Sequence, residues 1–138
     1  MFKYKTLKKM IFISLFILML VLSLSSCLVA GKTLTEENNG DSLNLKINDT
    51  VEIKLESNPT TGYSWFLNDN VDETIVSITS PEFMESKKDE ELVGAGGYEI
   101  FNIKAIAKGK TDIVLNYERS WEEGVEPLKT FEVTISID

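Results

Sequence analysis

From residue 43 onward apolar and polar residues alternate with a period of two, and this pattern leaves little room for anything but β-structure. Leu43, Leu45 and Ile47 fall on one face, and "ND" at 48–49 predicts a turn. Val51, Ile53 and Leu55 repeat the pattern within "TVEIKLES" (50–57). Such alternation places successive side chains on opposite sides of a strand, one side dry and the other wet. "YSWFL" (63–67) and "TIVSIT" (74–79) read as further strands, separated by the turn-forming "NDNVDE" (68–73). Pro81 opens a less regular piece with a short strand at 82–86, a charged run and a glycine-rich stretch. In the longest strand signal, "YEIFNIKAIA" (98–107), Phe101, Ile103 and Ala105 share a face. "KGK" (108–110) predicts a hairpin turn into "TDIVLNYE" (111–118), where Ile113, Leu115 and Tyr117 are in phase. A last strand runs through Phe131, Val133, Ile135 and Ile137.

No part of this region carries a helical repeat, and no segment repeats another. Seven to eight short strands with turn signals between them predict an all-β fold over residues 42–138. The expected architecture is an immunoglobulin-like antiparallel β-sandwich. It lacks the Cys-Trp-Cys hallmark of antibody domains, and Trp65 is expected to fill the equivalent part of the core.

What precedes the domain is built differently. "MFKYKTLKK" carries four lysines and no acid, and Met10 to Leu24 is apolar except for Ser14 and Ser23. A basic start, a short apolar run and small residues after it describe a secretory signal peptide, assigned to residues 1–26. The run falls short of the roughly 20 apolar residues that a membrane span wants. Residues 27–41 are small, polar and turn-forming after the first few positions, and suit a flexible tether. "LSSC" (24–27) resembles the lipobox of bacterial lipoproteins. That resemblance implies that Cys27 is diacylated and becomes the mature N-terminus, anchoring the domain to a membrane in the cell envelope. Cleavage near Ala30-Gly31 and an uncleaved anchor are the alternatives. Cys27 is the only cysteine, so the domain has no intramolecular disulfide and rests on its core. Removing residues 1–26 leaves 10 basic residues against 22 acidic ones, a net charge of −12. Such a balance keeps the chain soluble and argues against nucleic acid, whose phosphates repel it.

The composition also argues against catalysis. The chain contains no histidine, which removes Ser–His and Cys–His nucleophile pairs and the commonest transition-metal ligand. There is no glycine-rich phosphate loop entering a helix. Most acids lie in turns or on wet strand faces, where a solvated charge is the default. Asp89-Glu90-Glu91 lacks the spacing of an EF-hand loop. Neither cofactor nor metal is expected.

The informative residues are then in loops, where a rigid sandwich carries its binding groups. In "NPTTGY" (58–63), Pro59 fixes its own φ and pushes Asn58 towards extended geometry. Gly62 permits a tight turn, and Thr60 and Thr61 form a small, uncharged tip before Tyr63. In "LVGAGGYE" (92–99), Gly94, Gly96 and Gly97 are more glycines than one hairpin needs, and they free backbone groups for pairing with a partner. In "ERSWEEG" (118–124), Arg119 and Trp121 are of the types enriched at binding hot spots. Each loop alone also reads as plain structure: a turn, a relieved hairpin, or a tryptophan folded back on the sandwich.

With the three motifs in this order, the domain resembles the chagasin family of cysteine-peptidase inhibitors. The family's "NPTTG" followed by an aromatic stands at 58–63, its "GxGG" at 94–97 and its "RPW" as "RSW" at 119–121, with Ser120 in place of proline. The resemblance implies a monomer that wedges three loops into the active-site cleft of a papain-like cysteine peptidase. It assigns Asn58, Pro59, Thr60, Thr61, Gly62, Tyr63, Gly94, Gly96, Gly97, Arg119 and Trp121 to that contact. Ser120 implies a less rigid third loop. The competing readings are an envelope adhesion or assembly module that binds a protein or glycan, and a family member that no longer inhibits.

Overall fold

The inward residues of the alternating strands meet across one interface between two sheets. The computed structural model describes residues 31–86 and 96–138; the signal segment, Cys27, Asp89-Glu90-Glu91 and Gly94 lie outside the described residues. Nine strands follow in order: β1 Lys32–Leu34, β2 Ser42–Leu45, β3 Thr50–Ser57, β4 Ser64–Leu67, β5 Val76–Ile78, β6 Glu82–Glu85, β7 Gly97–Ala105, β8 Gly109–Glu118 and β9 Lys129–Ile137. One sheet has the order β1-β3-β7-β5, with β6 pairing the other half of the same β7 edge. The second sheet has the order β2-β9-β8-β4.

The period-two series become the two inner faces. Val51, Ile53 and Leu55 from β3 and Phe101, Ile103 and Ala105 from β7 are buried against Ile113, Leu115 and Tyr117 from β8 and Phe131, Val133, Ile135 and Ile137 from β9. Burying an aliphatic or aromatic side chain of this kind contributes about 1.5–3 kcal/mol each. Trp65 joins the core, as expected. No helix among the described residues is long and apolar enough to cross a membrane.

The all-β sandwich agrees with the sequence reading, and four details differ from it. First, residues 32–41 are folded and are not a free tether. β1 pairs in parallel with β3, and Leu34 is 0% exposed. The Glu36 carboxylate accepts the Glu56 N–H at 2.7 Å, and the Gly40 N–H donates to Glu132 O at 2.7 Å. This segment is thus stitched to both sheets. Second, the sheets are mixed, because β1–β3 and β2–β9 are parallel. The chain visits β2 in the other sheet between β1 and β3, and a parallel pair needs such a crossover. Third, "KGK" makes no hairpin: β7 and β8 lie in different sheets, so the chain there crosses the sandwich. Fourth, β2 ends at Leu45, and Ile47 is 40% exposed ahead of a turn in which Asn48 has φ 76°.

At the turn before β5, the Asp72 carboxylate accepts from the Thr74 hydroxyl and N–H, which together hold its pKa below the usual carboxylate value.

A chain starting at Ser42 should be less stable than one starting at Gly31 by about 2–4 kcal/mol, since a fully buried leucine is lost with β1. Urea denaturation of the two chains measures this. Equal midpoints would mean that β1 is only a tether after all.

Candidate functional site

Strand register gathers the motif-bearing loops at one end. Ser57 at the end of β3 pairs with Gly97 at the start of β7, and Ser64 at the start of β4 pairs with Glu118 at the end of β8. The β3–β4 loop therefore stands beside the start of β7 on one side and the β8–β9 connection on the other.

The β3–β4 loop is a closed turn. Pro59–Thr61 forms a single turn of 3-10 helix, with Asn58 as its cap. Asn58 Oδ1 accepts from the Thr60 N–H at 3.3 Å and from the Thr60 hydroxyl at 2.5 Å. Asn58 O accepts from the Thr61 N–H at 3.0 Å and from the Thr61 hydroxyl at 2.6 Å. The Gly62 N–H donates to Pro59 O at 2.9 Å, and Gly62 takes the left-handed conformation at φ 81°. Both threonines are exposed, yet both hydroxyls are turned back into the loop. The loop is also tied to the core. The Asn58 N–H donates to the Tyr117 hydroxyl at 2.9 Å, and the Tyr117 ring lies 5.3 Å from Tyr63 and 5.1 Å from Trp65.

The β8–β9 connection braces the first loop. Arg119 Nε donates to Thr61 O at 3.2 Å, and its guanidinium lies 4.4 Å from the Tyr63 ring centre. Arg119 Nη1 also pairs with Glu122 at 3.1 Å. The sequence reading assigned Arg119 to the peptidase contact; here two of its N–H groups bond within the protein, to Thr61 and Glu122. The Trp121 ring rests against Gly62 so closely that a Cβ there would come within 2.3 Å of Cη2. Trp121 is nonetheless 64% exposed. Val125 and Leu128, outside any motif, add exposed apolar surface to the same connection.

Of the glycine-rich stretch, Gly96 and Gly97 are described. The Ser86 N–H donates to Gly96 O at 3.2 Å, and Gly96 lies beside Ser57 and Asn58. Gly97 departs from the expectation of a free backbone for a partner. It is a buried strand residue with ladder neighbours on both sides, Ser57 and Glu85. A Cβ at Gly97 would fall 2.3 Å from Met84 O and 2.7 Å from Phe83 Cζ, so the packing of β6 is what requires glycine.

One buried polar residue at this end belongs to none of the three motifs. Glu99 is only 5% exposed, and its two oxygens accept from the Ser57 hydroxyl at 2.5 Å and the Trp65 N–H at 3.1 Å. Its signal was an acid in phase with the inward Phe101, Ile103 and Ala105. Among the described residues no cluster of His, Cys, Asp and Glu could hold a metal ion. What this end offers is a shaped, braced surface.

Residues 44–135 match the family described as "Chagasin family peptidase inhibitor I42". The chain belongs to the chagasin family. Amoebiasin-2 of Entamoeba histolytica is 30% identical over 113 residues, covering 82% of this chain and 90% of the relative. Chagasin of Trypanosoma cruzi is 34% identical over 91 residues, covering 63% of this chain and 80% of that protein. The crystal structure of the cysteine protease inhibitor EhICP2 from Entamoeba histolytica superposes with a TM-score of 0.71 at 29% identity, covering 78% of this chain and 95% of that one. As a member of the chagasin family, the chain is a peptidase inhibitor and not an enzyme.

Gly62→Ala should displace the Trp121 ring and cost about 1–2 kcal/mol, because a Cβ in the left-handed region is strained as well as obstructed. The indole N–H resonance of Trp121 reports the first effect and urea denaturation the second. An unmoved resonance would mean that the two loops are not locked together.

Proposed function

We propose that this end of the sandwich enters the active-site cleft of a papain-like cysteine peptidase and inhibits it reversibly and competitively. The observation that carries this reading is the internal closure of the first loop. The N–H groups of Thr60, Thr61 and Gly62 and the hydroxyls of both threonines have partners within the loop. A loop already fixed in shape loses little entropy on docking. Thr60 and Thr61 act as the plug, while Asn58, Pro59, Gly62 and Tyr63 hold its form. Their peptide bonds run in a helical turn, which keeps them from the near-attack geometry that a thiolate needs, so cleavage is slow. Trp121 covers apolar surface on one wall of the cleft, and Gly94 and Gly96 offer backbone to the other. Arg119 serves the contact indirectly, by holding Thr61 and Tyr63. Support comes from family membership and from the similarity to EhICP2, described as a cysteine protease inhibitor.

The basic and apolar start and the lipobox-like "LSSC" support a further part of the reading. The chain is exported, acylated at Cys27 and held at a membrane in the cell envelope, where it works as a monomer.

Titrating residues 31–138 against papain and a cathepsin L-like peptidase, with a fluorogenic substrate, tests the inhibitory reading. Tight competitive inhibition is expected. Trp121→Ala combined with Thr61→Phe should weaken it about 100-fold or more, as loss of central contacts does, with the far-ultraviolet circular dichroism unchanged. Full inhibition by the double variant would place the contact elsewhere on the sandwich.

Acylation is checked separately, by expressing the full chain in a bacterium fed labelled palmitate. The label should enter the wild-type chain and not Cys27→Ser; equal labelling of both would exclude Cys27 as the site.

A further inference from the structure

The first loop begins and ends in different sheets. β3, which leads into it, lies in the β1-β3-β7 sheet, whereas β4, which leaves it, is the edge strand of the β2-β9-β8-β4 sheet. No ladder can join these two feet, and the spacing between them sets where the tip stands. Glu99 spans the gap. From β7 its carboxylate takes the hydroxyl of Ser57, the last residue of β3, on one oxygen. The other oxygen takes the backbone N–H of Trp65 in β4.

An acid is a costly choice for this position. Glu99 is 5% exposed, and a polar side chain buried to that degree is costly unless it is hydrogen-bonded. An apolar residue would fill the space without that cost but would leave the Trp65 N–H and the Ser57 hydroxyl unpaired. The Trp65 N–H has no strand to pair with, because it lies on the free edge of β4. A second bond runs the same way across the gap, from the Trp65 indole N–H to Glu56 O at 3.0 Å. The open groove of about 490 Å³ beside β4 has Glu99 in its lining, but both carboxylate oxygens already hold protein donors, which leaves this group a brace and not a ligand site.

We propose that Glu99 is a positioning residue for inhibition: it fixes the feet of the 58–63 loop and thereby the height and angle of the Thr60–Thr61 tip. This rests on the reading of that loop as the inhibitory plug. The role requires a side chain that hydrogen-bonds Ser57 and Trp65 at once, and not a negative charge as such. Glutamine satisfies it, with its carbonyl accepting from Trp65 and its amide donating to Ser57 Oγ.

The test uses the full chain in mild detergent. Glu99→Met keeps the volume and loses both acceptors, Glu99→Gln keeps both contacts, and Ser57→Ala removes one. For papain, Glu99→Met should raise the inhibition constant about 30-fold, Ser57→Ala about 5-fold, and Glu99→Gln less than about 3-fold, in line with the loss of two, one and no buried hydrogen bonds. Amide hydrogen exchange supplies the readout that mere destabilisation would not move. Thr61 and Gly62, whose N–H groups close the loop, should exchange faster in Glu99→Met, while the β8–β9 ladder keeps its protection. Uniform loss of protection, or a glutamine variant as weak as the methionine one, would overturn the proposal. If Glu99→Met does not fold, Ser57→Ala decides: unchanged exchange at Thr61 and Gly62 then overturns it. If the wild-type chain fails to inhibit papain, the choice of target is wrong, and the exchange data alone still decide whether Glu99 sets the loop.

Discussion

The hydroxyl of Tyr117 is where the core ends and the β3–β4 loop begins. Tyr117 is the last of three inward residues on β8, after Ile113 and Leu115, and is 6% exposed. Its ring packs in the core between Trp65 and Tyr63, and its oxygen receives the N–H of Asn58, the residue that opens the first loop. A buried tyrosine needs a partner for its polar end, and here that need supplies a fixed point for the loop. Because β8 is paired on both sides, by β4 and β9, the height of Tyr117 is set by two ladders. Asn58 is thereby referenced to the rigid part of the molecule and not only to its own stem.

From this point the bracing passes outward by contact. Tyr63 lies on Tyr117, the Arg119 guanidinium lies on Tyr63, and Arg119 Nε returns to Thr61 O. The planar guanidinium suits this task, since it stacks through its face while donating through its edge. Its half-exposed pairing with Glu122 adds little energy in water, but it helps orient the group. The resemblance noted in the sequence places proline where this chain has Ser120, and proline would stiffen the third loop through its own backbone. Here stiffness comes instead from Arg119 and from Trp121 lying on Gly62, two contacts made across loops. The loop is held by its neighbour and not by a local constraint on φ.

Much of the fold was legible because period-two alternation is a strong signal over β3, β7, β8 and β9, each long enough to show several inward residues. β1 was hidden because a three-residue strand shows only one inward residue, Leu34, among polar neighbours that look like tether. Parallel pairing at β1 and β2 leaves no local mark, since the partner strand is chosen by the path of the chain. "KGK" looks the same whether it joins two strands of one sheet or crosses between sheets. At the site, the motifs pointed to loops that share one end of the molecule, but not to how their residues contact one another. Gly97 shares its motif with Gly96, yet it lies inside a strand under Phe83. Arg119 reads as a binding residue by type, and only geometry shows that two of its donors go to Thr61 and Glu122.

The place of the β3–β4 loop at this end of the sandwich follows from topology. Strands β6 and β7 belong to one sheet, β8 and β9 to the other, and the β3–β4 loop crosses between them. A loop that crosses must stand over the gap between the sheets, so Thr60 and Thr61 stand between the start of β7 and the β8–β9 connection. A crossing loop is also the one most exposed to any sliding of one sheet over the other, because its two feet would move apart. Four bonds tie its base: Ser57 and Trp65 to Glu99, the Trp65 indole to Glu56, and Asn58 to Tyr117. Three of these four bonds join one sheet or its loop to the other through a side chain, where no backbone ladder reaches. In the proposed complex the plug is thus a loop whose two feet no ladder joins and whose base is held by side chains. That is why the polar residues buried at this end, and not the exposed motif alone, determine the shape presented to a peptidase.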